Sequence, residues 1–329
     1  MTNMISLQFC KFSFLLHKRH FTTTLKIGQN VINVFDRKAK LIQKSRASNI
    51  ENFVVYDYLK EEVGWRVADR ILDINRKFKN VVDLGCGRGY ISRHILADSV
   101  ENLIMCDMSN STLEQASLPE TGVNVSKQVV NEEELPFEED SLDLVVSSLT
   151  LHWVNDLPST FKQVIRCLKK DGAFMGALFG GDTLYELRSS LQLADSERLG
   201  GLASHISPFT LINDIGGLLS QAGFTLLTMD TDELLIGYPS MFELIWDLKG
   251  MGENNCTWNR CKHLNREVLM AAAAIYNQLY GSEGRIPATF QIIYFLGWKP
   301  DPSQPKALER GSAKYSLKNI GNLTSGKKN

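Results

Sequence analysis

The sequence predicts an α/β fold around a mostly parallel sheet, on three observations. Seven apolar runs suit strands, at about 80–84, 102–106, 124–130, 142–147, 173–179, 225–238 and 288–298, with helical patterns between the first five. A glycine turn, Gly85-Cys86-Gly87-Arg88-Gly89, follows the first run directly and leads into a helical pattern at Tyr90-Ile91-Ser92-Arg93. The second run, Leu103-Ile104-Met105-Cys106, closes on an acid, Asp107. A parallel sheet gathers its ligands at the carboxyl ends of its strands, where Gly85, Asp107, Asn131 and Ser148 all fall.

In the glycine turn, backbone without a Cβ can take positive φ or approach a ligand closely. The spacing is Gly-x-Gly-x-Gly, and position 90, where a nicotinamide loop wants its third glycine, is Tyr. Asp107 lies 18 residues after Gly89, near the ~20-residue spacing at which an acid holds ribose hydroxyls. Glu134-Leu135-Pro136-Phe137 and then Leu142-Asp143-Leu144-Val145-Val146-Ser147-Ser148 follow in order. With these features the chain resembles the class I S-adenosylmethionine (SAM) methyltransferases over roughly residues 50–300. The resemblance implies their Rossmann-like fold, with seven strands and the last one antiparallel.

The elements divide the chain into four parts. Residues 1–35 hold Lys11, Lys18, Arg19 and Lys26 with no acid, many hydroxyls and a scatter of Phe and Leu, the composition of a mitochondrial transit peptide; we assign it to 1–29. Residues 30–75 read as a helical cap. It has a basic arm from Asn33 to Lys40 and a helix opening at Tyr56-Asp57-Tyr58-Leu59 with Val63, Val67, Ile71 and Ile74 on one face. By resemblance Tyr56 or Tyr58 covers the cofactor; the other reading is packing on the sheet.

Residues 76–300 are the catalytic-type domain. A helix from Leu157 to Lys169 stops at Lys170-Asp171-Gly172, with glycine as its C-cap. Ser207-Pro208-Phe209 caps another through Leu219, and two more run over 240–251 and 265–280. Residues 301–329 carry Pro, Ser, Gly and Lys with little apolar pattern and are expected to be mostly disordered.

Candidate cofactor contacts are Asp83, Gly85, Gly87, Gly89, Asp107 with its neighbour Met108, Asn131 and Ser148. Asp83 either steadies the loop backbone or meets the amino-acid end of SAM. The family commonly places an aspartate against the adenine amino group. Here the matching residue is Asn131, whose amide oxygen accepts the same bond without charge assistance. Glu132 to Glu134 beside it read as adenine-side acids or as a solvated loop.

For chemistry, His152 sits where a general base works, though beside Trp153 it also suits a packed residue. Asp182, Tyr185 and Glu186 share one face of a helix beginning near Asp182, and the acids suit a guanidinium. Asp182 suits an N-cap equally well.

Composition excludes several classes. The chain has 329 residues, 43 % hydrophobic and 22 % charged, with a net charge of −1, which gives no footprint for nucleic acid. No run approaches the ~20 apolar residues of a membrane span. Six cysteines without a Cys-x-x-Cys pair fit free thiols, not a zinc site. No histidine opens a His-x-Asp, so no two-histidine iron triad is legible and no metal is assigned. The fourth strand lacks the Pro-Pro-aromatic signature of amide N-methylases, and no Gly-x-Ser-x-Gly elbow occurs.

Leu151-His152-Trp153-Val154-Asn155-Asp156-Leu157-Pro158, the stretch from Phe179 to Arg188, and His205-Ile206-Ser207-Pro208-Phe209 narrow the resemblance. They look like the mitochondrial complex I assembly factors related to the biotin-pathway O-methyltransferases. That resemblance implies a SAM-binding arginine hydroxylase of the matrix, peripheral to the inner membrane, acting on an iron–sulfur subunit during early assembly, with other assembly factors as possible partners. Periodicity and spacing reach only to SAM-dependent group transfer. Methyl transfer to a protein side chain or small acid, and a non-catalytic SAM-binding scaffold, stand as alternatives.

Overall fold

The computed structural model describes residues 33–119, 122–306 and 310–312. The transit peptide expected over 1–29 and most of the C-terminal tail lie outside the described residues.

Alternating side-chain direction along β1 (Phe78–Leu84), whose last four residues are all buried, shows how the layers form. Val81 faces one apolar layer with Val63 and Val67 of α2 (Tyr58–Leu72), while Val82 and Leu84 face another with Phe161 and Val164 of α4 (Leu157–Cys167). The other strands are β2 (Val100–Asp107), β3 (Asn124–Val129), β4 (Leu142–Ser148), β5 (Leu168–Phe179), β6 (Thr225–Tyr238) and β7 (Ile286–Trp298). They form one sheet in the order β3-β2-β1-β4-β5-β7-β6. The first five pair in parallel, and β7 inserts antiparallel between β5 and β6. The seven-stranded, mostly parallel sheet with an antiparallel last strand is thus present. The order reverses between β1 and β4, the crevice where such sheets take ligands.

The remaining helices are α1 (Arg37–Ser48), α3 (Asn110–Glu114), α5 (Tyr185–Leu199), α6 (Ile212–Ala222), α7 (Met241–Met251) and α8 (Arg266–Tyr280). α1 is capped by the Asp36 carboxylate on the Ala39 amide, and α7 and α8 by Ser240 and Asn265.

Several expectations are corrected. No α-helix follows the glycine turn; Ser92–His94 make a single 3-10 turn. Tyr90 is pinned instead, with its hydroxyl on Asp57 at 2.8 Å and its backbone so close to Gly64 that a Cβ there would lie 2.6 Å from the Tyr90 carbonyl carbon. α4 stops at Cys167, not Lys169, because buried Leu168 turns extended and pairs with Leu142. The Lys170-Asp171-Gly172 run is therefore an irregularity inside β5, with Asp171 at φ 58°, not a helix cap. α6 starts at Ile212, later than the Ser207-Pro208-Phe209 cap foresaw, and α5 starts at Tyr185, after Asp182. In the tail, Gln304 bonds to Asp171 Oδ1 at 2.9 Å and accepts from Thr225 Oγ1 at 3.0 Å, so the chain is held at least to that point.

Candidate functional site

The crevice is built from loops at the carboxyl ends of β1, β2 and β4. Gly85 and Gly87 take φ of 75° and 56°, which side-chain-bearing residues rarely adopt. A Cβ on Gly85 would lie 2.3 Å from the Thr150 methyl, so this turn is also packed onto the segment after β4. The Asp107 carboxylate fixes the loop from the next strand, accepting from the Gly87 amide at 3.1 Å and the Ser109 amide at 2.8 Å. Gly89 closes the turn at φ 79°, and Met108 is half-buried beside Asp107.

Asp83 is fully buried behind this loop. Ser92 donates to one oxygen at 2.8 Å and the other has no partner. Burial, opposed by the Ser92 bond, pushes its carboxyl up to about 7. Ser148 Oγ, at the end of β4, is likewise buried without a partner and lines the crevice. Asn131 Oδ1 accepts from Arg37 at 3.2 Å.

The basic arm read as part of a helical cap forms α1, and α1 lies across this crevice. Lys44 Nζ sits 2.9 Å from Asp107 Oδ2 and 3.8 Å from Glu132 Oε1, while Arg37, seven residues earlier on the same face, pairs with the other Glu132 oxygen. Glu132 is fully buried, not part of a solvated loop. Burial works against the charged form of Lys44, but the Asp107 and Glu132 carboxylates outweigh it and hold its ammonium above the usual lysine range. The cavity left between Lys44, Gly85, Gly87, Ser148 and Thr150 is about 30 Å³.

Neither tyrosine expected over the cofactor is there. Tyr58 bonds Tyr238 and Asp247, and Tyr56 packs on Gly250. Asp57, between them, instead anchors the loop through Arg88 and Tyr90.

Beyond Thr150, His152 is buried among the rings of Trp153 and Phe179, with centroids at 4.9 and 4.7 Å. Its Nε2 faces Glu253 Oε2 at 3.4 Å and its Nδ1 has no partner. Burial lowers its pKa, so the imidazole is neutral near pH 7. Glu253 is the hub of this cluster. Lys60 lies 2.6 Å from it and the Trp153 indole donates to it at 2.9 Å. Lys40 stacks 3.3 Å over the Trp153 ring and donates to the carbonyls of Gly252 and Asn254, and burial drops its ammonium to about 7. Against its own burial, these cations hold Glu253 well below the usual carboxylate range.

Glu253 also borders a second cavity of about 230 Å³, walled by Leu187 and Leu191 of α5, Ile245 and Leu248 of α7, and the segment 204–209. The acids expected there are elsewhere. Glu186 is fully buried and accepts from the Thr289 amide at 3.2 Å and from the Thr289 hydroxyl, tying α5 to β7. Asp182 accepts from Gln291 at 2.9 Å at the surface. His152, Asp182 and Glu186 therefore do not converge. Glu253, Lys60 and the pair Asp195–His205 were not foreseen, because they meet the site from sequence-distant segments.

Comparison with known proteins agrees with this architecture. A family profile described as a methyltransferase domain matches residues 58–229. The chain is 52 % identical over 293 residues to "Arginine-hydroxylase NDUFAF5, mitochondrial" of Mus musculus, covering 89 % of this chain and 85 % of that one. It is 31 % identical over 277 residues to "Malonyl-[acyl-carrier protein] O-methyltransferase" of Gallionella capsiferriformans, covering 82 % and 93 %. The solved structure of the YcgJ protein of Bacillus subtilis superposes with a TM-score of 0.50 at 17 % identity, over 71 % of this chain and 98 % of that one, which bears on the fold alone.

Proposed function

This chain belongs to the methyltransferase-domain family and to the arginine-hydroxylase NDUFAF5 family, and on that premise we propose that it is a mitochondrial SAM-binding enzyme that hydroxylates an arginine of a protein partner. The partner we assign is an iron–sulfur subunit of respiratory complex I in early assembly, met on the matrix side of the inner membrane. No helix among the described residues is long and apolar enough to cross a membrane, so the association we propose is peripheral.

The observation that carries the cofactor assignment is Asp107, buried at the end of β2 with its oxygens turned onto the glycine loop. The donor set fits SAM. Asp107 would accept from ribose hydroxyls, Asn131 Oδ1, once released by Arg37, from the adenine amino group, and the partnerless oxygens of Ser148 and Asp83 would serve the amino-acid end. A cavity of about 30 Å³ holds a water, not a nucleoside, so Lys44 must leave Asp107 first. Bound there, SAM would supply a sulfonium-activated methyl group, which serves the methyl-transfer reading; hydroxylation would draw its oxygen and two oxidising equivalents from an oxidant such as dioxygen with a reductant. The protein supplies position and dryness: Trp153 and Phe179 shut water from His152, whose Nε2–H donates to Glu253 and leaves the Nδ1 lone pair free to take a proton.

Two measurements test the reading. Asp107→Ala removes a charged acceptor worth roughly 1.5–3 kcal/mol, so SAM should bind at least about tenfold more weakly by calorimetry. Mass spectrometry of complex I subunits from mitochondria with and without this protein should find an arginine that gains one oxygen only when it is present. Gain of a methylene instead would establish methyl transfer, the second reading, which the O-methyltransferase relative favours.

A further inference from the structure

We propose that the cavity between α5, α7 and the 204–209 segment receives the arginine side chain of the protein substrate, its guanidinium donating to His205 Nδ1 with Asp195 behind. This rests on the arginine-modifying reading above and assigns that activity a pocket.

His205 Nε2 lies 2.7 Å from Asp195 Oδ2, and the Ala203 amide donates to the same oxygen at 3.0 Å. In the neutral ring with Nε2–H donating to Asp195, the Nδ1 lone pair is the acceptor left for an occupant. His205 lines the cavity, and we place this nitrogen toward the occupant.

Charge decides what the occupant is. Glu253 is met by Lys60 at 2.6 Å. Arg260, which lines the cavity, is met by Asp36 at 3.3 Å and donates to the Thr257 carbonyl at 2.8 Å. Asp195 has no lysine or arginine partner among the described residues, and its Oδ1 is buried with no bond at all. A guanidinium in the cavity would bring Asp195 the lysine or arginine charge that the described residues do not. The walls are the side chains of Leu187, Leu191, Ile245 and Leu248, which suit an aliphatic stem. A volume of about 230 Å³ falls below the ~300–1,000 Å³ of small-molecule pockets and suits a single side chain. An apolar stem ending in a planar cation with several N–H donors is an arginine.

The test uses the full chain with SAM, its histidine rings carbon-13 labelled, and follows the His205 resonance, assigned by its loss in His205→Gln. N-acetyl-arginine amide should shift it saturably. The neutral isostere N-acetyl-citrulline amide should bind roughly tenfold more weakly, the scale of one charge-assisted bond. Asp195→Asn should weaken arginine binding alone, with SAM affinity unchanged; should that variant fail to fold, His205→Gln carries the same comparison by ligand-observed NMR. Equal binding of arginine and citrulline, no shift up to the solubility limit, or a shift by N-acetyl-glutamate amide in place of arginine would each overturn the pocket. So would Asp195→Asn and His205→Gln enzymes that modify the subunit at the wild-type rate, a result that leaves arginine hydroxylation standing. Arginine bound as described, with no oxygen gained on the subunit, would uphold the pocket and remove the hydroxylase reading.

Discussion

Lys44 Nζ stands 2.9 Å from Asp107 Oδ2, so the acid at the end of β2 already holds a cation where ribose hydroxyls belong. Lys44→Met removes the competitor and leaves Asp107 buried without its charge partner, a loss that costs on the order of 3–5 kcal/mol. We expect a lower melting temperature without SAM, SAM binding roughly tenfold tighter by calorimetry, and a larger thermal shift on adding SAM than the wild type shows. Unchanged affinity would mean that α1 and the cofactor do not compete.

Glu186→Gln is expected to act on the fold and not on the reaction. Its carboxylate holds both the amide and hydroxyl of Thr289, and an amide loses the charge assistance of both bonds, about 1–3 kcal/mol. Urea unfolding should show that loss, while modified product per folded enzyme stays at the wild-type level. A folded variant with no product would return Glu186 to the catalytic site.

Glu253→Gln should be among the most damaging single changes. It strands Lys60, with Lys40 close by, beside a buried indole and imidazole, at a cost of roughly 3–5 kcal/mol. Adding Lys60→Met should recover part of that loss, because the stranded cation goes with it. The denaturation midpoints of the single and double variants measure the coupling. Simple additivity would show the two charges to be independent.

Asp83 makes a prediction about pH. Its carboxyl titrates near 7 in the fold against 3.8 as its ordinary value, so the folded state holds an extra proton between those values. A raised acid stabilises fully below about pH 4 and loses that contribution as pH climbs through 7. Asp83→Asn removes the titration, and the difference between variant and wild-type melting temperatures should drift in the variant's favour from pH 5 to pH 8. A constant difference would show that Asp83 is ionised throughout.

What could be read in the sequence was what is local. The strand, the glycine turn and Asp107 lie within one β-turn-β unit, so spacing alone brought them together, and strand alternation gave the sheet. The residues that fill the crevice come from afar: Lys40 reaches the carbonyl of Gly252 and Lys44 reaches Asp107. A run of lysines near the N-terminus reads as solvated, and nothing in its own pattern says which acids it will meet. The missing helix after the glycine turn has the same origin. Tyr90 follows a helical pattern, but the tertiary partners Gly64 and Asp57 override it. Asp182 and Glu186 misled because acids at helical spacing say nothing about Thr289 or Gln291, which arrive a hundred residues later on β7.

α1 lines one cavity and bonds to the wall of the other. On one side Lys44 holds Asp107; on the other, Lys40, Gln43 and Arg46 grip the carbonyls and side chain of Asn254 and Asn255, which wall the larger cavity. A ligand that displaces Lys44 therefore loads a rigid lever whose far arm is the other ligand's wall. Thermodynamic reciprocity then applies: whatever factor the nucleoside imposes on affinity for the guanidinium, the guanidinium imposes on the nucleoside. Any coupling is then a single energy shared by both ligands, and α1, through Lys44 and its bonds to Asn254 and Asn255, is the element that would carry it.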